Sequence, residues 1–246
     1  MKFAPTDETR KALAPGGKLR VGINHSNFLL VKPGSPHGAP EGIAPDLGAE
    51  LARRLGLPLE YVSFDGAGKL ADAVKEAAVD VGFIGNEPER AEVIAFSPPY
   101  LELPVTYLVP AGSPIRALGD VDRAGVRVSV SARSAYDLYL TRHLKHATLI
   151  RSEGIPASAK TFAEQKLEAL AGLKPGLMEA AKNLPGTRVL EGQVTAVLQS
   201  VGVPKKRAAA AALVRDFVEA VKAEGLVAKA VERHGVRGVN VAPPAV

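Results

Sequence analysis

Between Lys18 and Ile84, short apolar runs alternate with amphipathic stretches, and this alternation limits the possible folds more than any other feature of the chain. Lys18–Asn24 (KLRVGIN), Leu57–Phe64 and Val79–Ile84 read as strands. Pro45–Leu55 (PDLGAELARRL) reads as a helix with Pro at its first position and Asp46 in its first turn. Lys69–Ala77 reads as another. A βαβαβ order implies a parallel sheet with helices on both faces.

The pattern then breaks and restarts. The apolar run Val105–Val109 leads into Pro110-Ala-Gly-Ser-Pro114, a linker signal. After it, Gly125–Val130, Thr148–Arg151, Leu167–Leu173 and Thr187–Leu190 read as strands. Ser134–His143, Ala157–Lys166 and Pro175–Lys182 read as the helices between them. That is a second α/β unit of about 85 residues, a normal domain size. Val194–Gln199 is extended again, and Gly202-Val-Pro204 precedes helices at Lys205–Ala223 and Leu226–His234. The expected fold is α/β and two-lobed, with discontinuous lobes: residues 1–108 plus 200–246, and residues 109–199. Two extended crossings would form a hinge, with a small-molecule cleft between the lobes. A single domain is the alternative.

Composition excludes several classes. Among 246 residues, 46% are apolar, enough for a core. No window approaches 18 uncharged apolar residues, so no spanning helix is expected. The net charge is +5, but the 31 Lys and Arg are scattered among 26 Asp and Glu. Only Lys205-Lys206-Arg207 forms a basic run of three, and no basic stripe interleaves with aromatics, so nucleic acid is not an expected partner. Cys is absent, which removes disulfides, thiolate metal sites and a cysteine nucleophile. The five His residues (25, 37, 143, 146 and 234) lack HExxH spacing. His143 and His146 lie three apart, around Lys145; they either hold a metal or stand exposed, and no metal or cofactor is expected. Trp is absent and aromatics are 5%, which argues against a sugar site. Met1-Lys-Phe-Ala-Pro-Thr-Asp-Glu shows no apolar signal-peptide region. The chain is then either cytoplasmic or a mature form with a new initiating Met.

The richest motif is Asp80-Val-Gly-Phe-Ile-Gly-Asn-Glu-Pro-Glu-Arg90, continuing through Ile94-Ala-Phe-Ser97-Pro-Pro-Tyr100. A short apolar strand ends in a Gly-Asn corner, and a helical turn follows with Arg90. This places a guanidinium at the carboxyl end of a buried parallel strand, where open α/β sheets bind ligands. Arg suits a carboxylate because it can make two parallel hydrogen bonds. The plainer reading is an Arg on the solvated face of a short helix.

The chain resembles the extracytoplasmic solute-binding proteins of ABC importers, polar-amino-acid type (bacterial extracellular solute-binding proteins, family 3). The resemblance rests on Leu19-Arg-Val-Gly-Ile-Asn24, Glu41-Gly-Ile-Ala-Pro-Asp-Leu47, the stretch from Asp80 to Tyr100, and Val126-Arg-Val-Ser-Val-Ser-Ala-Arg-Ser134. It implies a periplasmic-binding-protein-like fold of type II, a periplasmic location, a monomer, and docking to the importer's membrane subunits. It also implies that Arg90 clamps an α-carboxylate, that Gly85 and Asn86 add contacts, and that Arg133, Ser134 and Ala135 offer backbone N–H groups. A helix N-terminus does carry unpaired donors and partial positive charge. Ser134 is otherwise a plain helix cap. Asn24 and Phe64, ending the first two strands, either line the pocket or pack as strand ends.

One departure bears on the ligand. The family's ammonium-binding acid aligns here with Leu173, followed by Lys174. A buried ammonium without a counter-charge costs several kcal/mol. Glu168 could substitute in a shifted register, although strand alternation points Leu167, Ala169 and Ala171 away from its face. The ligand is therefore expected to be a small carboxylate or an amino-acid-like molecule. The competing enzymatic reading is a cyclohexadienyl-dehydratase-like activity with Glu87 or Glu89 as general acid, although both are expected to face solvent. A detached receptor-sensing domain is the third reading.

Overall fold

The structure, a computed structural model, describes residues 3–32 and 39–245; His37 lies outside them. The chain forms two compact units, Met1–Glu102 with Leu198–Val246, and Leu103–Val197.

The first unit opens with α1 (Asp7–Leu13) and β1 (Leu19–Asn24). There follow α2 (Ile43–Leu55), β2 (Leu59–Phe64), α3 (Ala67–Lys75), β3 (Val81–Asn86), α4 (Pro88–Ala91) and β4 (Ile94–Phe96). Next comes β5 (Leu101–Pro110), whose first two residues belong to this unit. The second unit takes the rest of β5, then β6 (Arg127–Ser131), α5 (Ala135–His143) and β7 (Thr148–Ser152). It continues with α6 (Ile155–Glu164), β8 (Ala169–Leu173), α7 (Lys174–Asn183) and β9 (Thr187–Val189). Within β10 (Thr195–Pro204) the chain returns to the first unit, which ends with α8 (Ala208–Ala223), α9 (Leu226–Arg233) and β11 (Asn240–Val241). Both crossings are made by strands, and Pro110–Pro114 lies inside the second unit.

Each unit has the same topology. In the first, β2, β1 and β3 are parallel in that order, and β10 joins β3 antiparallel. In the second, β7, β6 and β8 are parallel in that order, and β5 joins β8 antiparallel.

Several local expectations shift. α2 begins at Ile43, so Pro45 is third rather than first. A Pro within the first turn removes only an N–H that has no helical partner. Gly56 ends α2 in the left-handed region (φ 66°), its N–H donating back to Ala52 and Arg53 carbonyls. Gly202-Val-Pro204 extends β10 rather than ending it, because β4 pairs there with Pro204 opposite Ile94. The short strands β4, β9 and β11 carry too few residues for a period to register.

The core follows the periodicity. On one face of the first sheet, α3 buries Leu70, Ala71, Ala73 and Val74 against Val79, Ile84 and Ile94. Each large side chain removed from water contributes about 1.5–3 kcal/mol. α3 approaches so closely that a Cβ on Gly22 would overlap Leu70, and one on Gly82 would lie 2.5 Å from Val74 Cγ2. The alternate residues Val21 and Phe83 face Gly48 of α2 on the other side. α8 buries Leu213, Val214, Phe217, Val218 and Val221 at helical spacing. The second unit has its own cluster: Leu108, Phe162, Leu167, Leu170 and Leu177.

The amino ends of the two parallel sheets are pinned alike. Arg20, on β1, donates its backbone N–H and Nε to Asp80 Oδ2 (3.0 and 3.1 Å) and Nη2 to Asp80 Oδ1 (2.8 Å). Its Nη2 also reaches the Ala77 carbonyl at 3.0 Å. Arg127, on β6, donates its backbone N–H and Nε to Glu168 Oε2 (2.8 and 2.9 Å) and Nη2 to Glu168 Oε1 (2.8 Å). Its Nη2 reaches the Lys166 carbonyl at 3.0 Å. Ala77 and Lys166 both turn through positive φ (57° and 49°).

Candidate functional site

Parallel strands bring their carboxyl ends to one edge, where helix N-termini also gather. In the first unit that edge holds Asn24 and Phe64, which are register partners, with Gly85 and Asn86 at the end of β3. Pro88 opens α4 immediately afterwards, with Glu87 extended at its cap. This short turn carries Arg90 back toward the strand end. Arg90 is only 6% exposed, and its Nη1 donates to the Gly85 carbonyl at 2.7 Å. The solvated-face reading of Arg90 therefore does not hold. Glu87 is 8% exposed, contrary to the expectation that it faces solvent, because the strand-to-helix corner folds it inward. Glu89 is exposed as expected.

Asn24 Oδ1 accepts from the Ser26 N–H (3.0 Å) and hydroxyl (2.8 Å), closing a local turn after β1. Phe64 packs, half-buried, against the α3 cluster. Sequence reasoning missed Gln199, which stands opposite Gly85 in the β3–β10 pair and is buried. Its sequence signal was a long polar side chain inside the mostly apolar stretch Thr195–Pro204.

In the second unit, Ser134 caps α5: its Oγ accepts from the Asp137 N–H at 3.1 Å. Arg133 precedes it with φ 54°, and its N–H donates to Asp137 Oδ2 at 2.7 Å. Asp137, unremarked in the sequence, is buried and also receives Arg151 Nε at 3.0 and 3.1 Å. Arg151 Nη2 continues to Thr141 Oγ1 at 2.8 Å. Asp137 thus fixes the turn that presents Ser134 and Ala135 at the start of the helix. Beside them Tyr136 is buried, and burial pushes its hydroxyl pKa up to about 12, so it stays protonated.

Leu173 is buried at the carboxyl end of β8 and caps α7 with no side-chain bond. Glu168 cannot take over as an ammonium acceptor there, because Arg127 holds it at the amino end of the same strand. Arg127 hydrogen bonds also keep the Glu168 carboxyl below its ordinary pKa. Lys174 lies 3.9 Å from Glu191. His143 stacks on Tyr139, and its Nδ1 lies 2.7 Å from the Tyr139 carbonyl. His146 gives its backbone N–H to Asp122 at 2.7 Å. Among the described residues no group of three metal-ligating side chains forms.

This architecture, two α/β units joined by two strand crossings with a buried Arg at a strand-end corner, defines a solute-binding class. The chain belongs to the bacterial extracellular solute-binding proteins, family 3, whose model matches residues 19–237. Solved structures agree in fold. The solute receptor for L-cysteine of Neisseria gonorrhoeae is 22% identical, with 93% of this chain and 95% of that one covered and a TM-score of 0.80. A mutant of ArgBP from T. maritima is 19% identical, covering 92% and 99%, with a TM-score of 0.77. An ancestral amino-acid-binding protein, a precursor of cyclohexadienyl dehydratase, is 21% identical, covering 92% and 98%, with a TM-score of 0.76.

Proposed function

We propose that this chain is the extracytoplasmic solute-binding component of an ABC importer, capturing a small carboxylate or amino-acid-like ligand as a monomer and delivering it to the importer's membrane subunits. The observation that carries this reading is Arg90, buried and held against Gly85 at the carboxyl end of β3 in a family 3 chain. A guanidinium held there is preorganised to grip a carboxylate bidentately. Gly85 and Asn86 line the same corner. In the second unit the Arg133 N–H donates to Asp137 and the Ser134 N–H to the Ser131 carbonyl, contrary to their expected role as ligand donors, so what this turn contributes to an anion is the N–H of Ala135 at the first position of α5. Asn24 contributes its amide donors, since its carbonyl oxygen is already taken, and Phe64 the edge of its ring.

Titration calorimetry with carboxylates and amino acids tests the reading. Arg90→Ala is expected to lose about 2–5 kcal/mol of binding, the range for truncating one partner of a buried charge pair. Arg90→Lys should also bind poorly, because an ammonium cannot make the fork contact. Unchanged affinity in Arg90→Ala would refute the clamp.

One observation favours a second reading. Glu87 is a buried acid three residues from Arg90, and a ring dehydratase needs a protonatable acid facing its bound ring. Incubation with prephenate or arogenate separates the two readings, since only the enzyme forms an aromatic product.

A further inference from the structure

Ser97–Glu102 leads out of the first unit into the crossing strand β5, and two other parts of that unit hold it. β10 takes the beginning. The Ser97 N–H donates to the Val201 carbonyl and the Val201 N–H to Ser97 Oγ, both at 2.9 Å, and the Tyr100 N–H donates to the Gln199 carbonyl at 2.8 Å. β11 takes the end. Gly235 and Gly238, at positive φ (64° and 73°), turn the chain back after α9. Asn240 and Val241 then pair antiparallel with Glu102 and Leu101, and the Ala242 N–H donates to the Tyr100 carbonyl at 3.2 Å.

A proline pair lies beside each of the two joined segments: Pro98-Pro99 ahead of β5 and Pro243-Pro244 after β11. Proline has no N–H, so these residues leave carbonyls that the backbone ladder cannot serve. Lys222 of α8 supplies the donor. Its Nζ reaches the Pro99 carbonyl at 3.1 Å and the Pro243 carbonyl at 2.8 Å, and lies 2.6 Å from Glu219 Oε1. Glu219 Oε2 in turn accepts the Ala245 N–H at 3.3 Å. The Lys222 side chain is only 4% exposed, and lysine is seldom buried so deeply unless its ammonium is paired. One side chain therefore bolts the root of β5 to the segment that follows α9.

The grip of β11 stops at a boundary. Glu102 is the end of its pairing along β5 and also the last residue of the first unit before the crossing. Val105 already belongs to the second unit, where it pairs with Leu173 and accepts the Val194 N–H at 2.8 Å. Leu103 and Pro104 alone lie between.

We propose that residues 239–245 are a hinge strap: β11 and the Lys222 bolt hold the root of β5 on the first unit, so that on this crossing the bend between the units is confined to Leu103 and Pro104. Released from the strap, the bending segment lengthens back to Leu101, and the ligand-free protein samples a wider range of unit-to-unit distances. The strap governs motion of the chain and acts whichever solute the site takes.

The chain contains no Cys, so Ala49→Cys on α2 and Glu164→Cys on α6 accept one spin label in each unit. Pulsed electron-spin distance distributions are recorded on the labelled ligand-free protein, on the same protein lacking residues 239–246, on Lys222→Met and on Gly82→Val, with the thermal unfolding of each alongside. Lys222→Met keeps the aliphatic stem and β11 and removes only the bolt. Gly82→Val overpacks the α3 face of the first unit and leaves the strap intact. Both strap variants should widen the distance distribution, whereas Gly82→Val should unfold earlier and keep the native width. An unchanged width in both strap variants overturns the proposal. So does a Gly82→Val distribution as wide as theirs, since width would then report lost stability. Widening on truncation alone overturns the role of Lys222 and supports that of β11. If the truncated chain does not fold, Lys222→Met decides alone.

Discussion

Asp80 and Arg90 stand ten residues apart in one motif, and their surroundings give them opposite work. Asp80 is 1% exposed and held by Arg20 and by Arg207, whose Nη1 lies 3.0 Å from Oδ1. Burial works to raise its pKa, but the hydrogen bonds from Arg20 and Arg207 outweigh it, so the carboxyl sits below its ordinary value. Its unfolded-state pKa is then the higher of the two. The clamp stabilises fully above the ordinary Asp range, about 3.9, and its contribution fades as pH falls below that. Asp80→Asn should cost about 3 kcal/mol in urea unfolding at neutral pH, since it strips charge-assisted bonds from two arginines. An acid titration should show wild type losing stability below about pH 4 while Asp80→Asn changes less there. Equal acid sensitivity in the two proteins would mean that the clamp contributes nothing.

At the scale of elements, two contacts hold the edge in place. α3 lies close on the sheet because Gly22 and Gly82 present no side chain to Leu70 and Val74. Gly82→Val should cost about 1–3 kcal/mol by overpacking, read as a lower unfolding midpoint, with Phe64 disturbed because it packs on the same cluster. α5 depends on Ser134 at its start and on Asp137 beneath it. Ser134→Ala should cost about 1 kcal/mol, and Ser134→Gly only a few tenths, because an N-cap position accepts Gly's backbone readily. If Ser134→Ala is neutral in chemical denaturation, the cap is not stabilising the helix.

The whole molecule repeats one plan. Both units place the first strand between the second and third, add an antiparallel crossing strand, and pin the amino end of the sheet with an Arg–carboxylate clamp beside a residue at positive φ. The second unit is contiguous in sequence and has its own core around Leu108, Phe162 and Leu177. A fragment of residues 103–197 should therefore fold alone, with cooperative thermal unfolding and dispersed amide resonances. A disordered fragment would show that its core needs the first unit. For the intact protein, a bound solute at a hundredfold excess over Kd should add about 2.7 kcal/mol to the stability of whatever unfolds with the site.

Alternation of apolar runs and amphipathic stretches was enough to reveal α/β order, because strand and helix periods are local properties of side-chain spacing. The Asp80–Tyr100 motif likewise marked Arg90 at the end of a strand. Pairing partners were not legible in the same way. That Asp80 serves Arg20, that Glu168 serves Arg127 rather than a ligand, and that Gln199 stands opposite Gly85 all follow from strand register across 41 to 114 residues of chain, and that Glu87 is buried follows from how its corner packs. Sequence by itself determined which residue types were present at each strand end. Only the tertiary structure decided which charges are spent on holding the fold and which polar atoms remain without a partner, because burial and hydrogen-bond satisfaction depend on elements that meet only once the sheet is assembled.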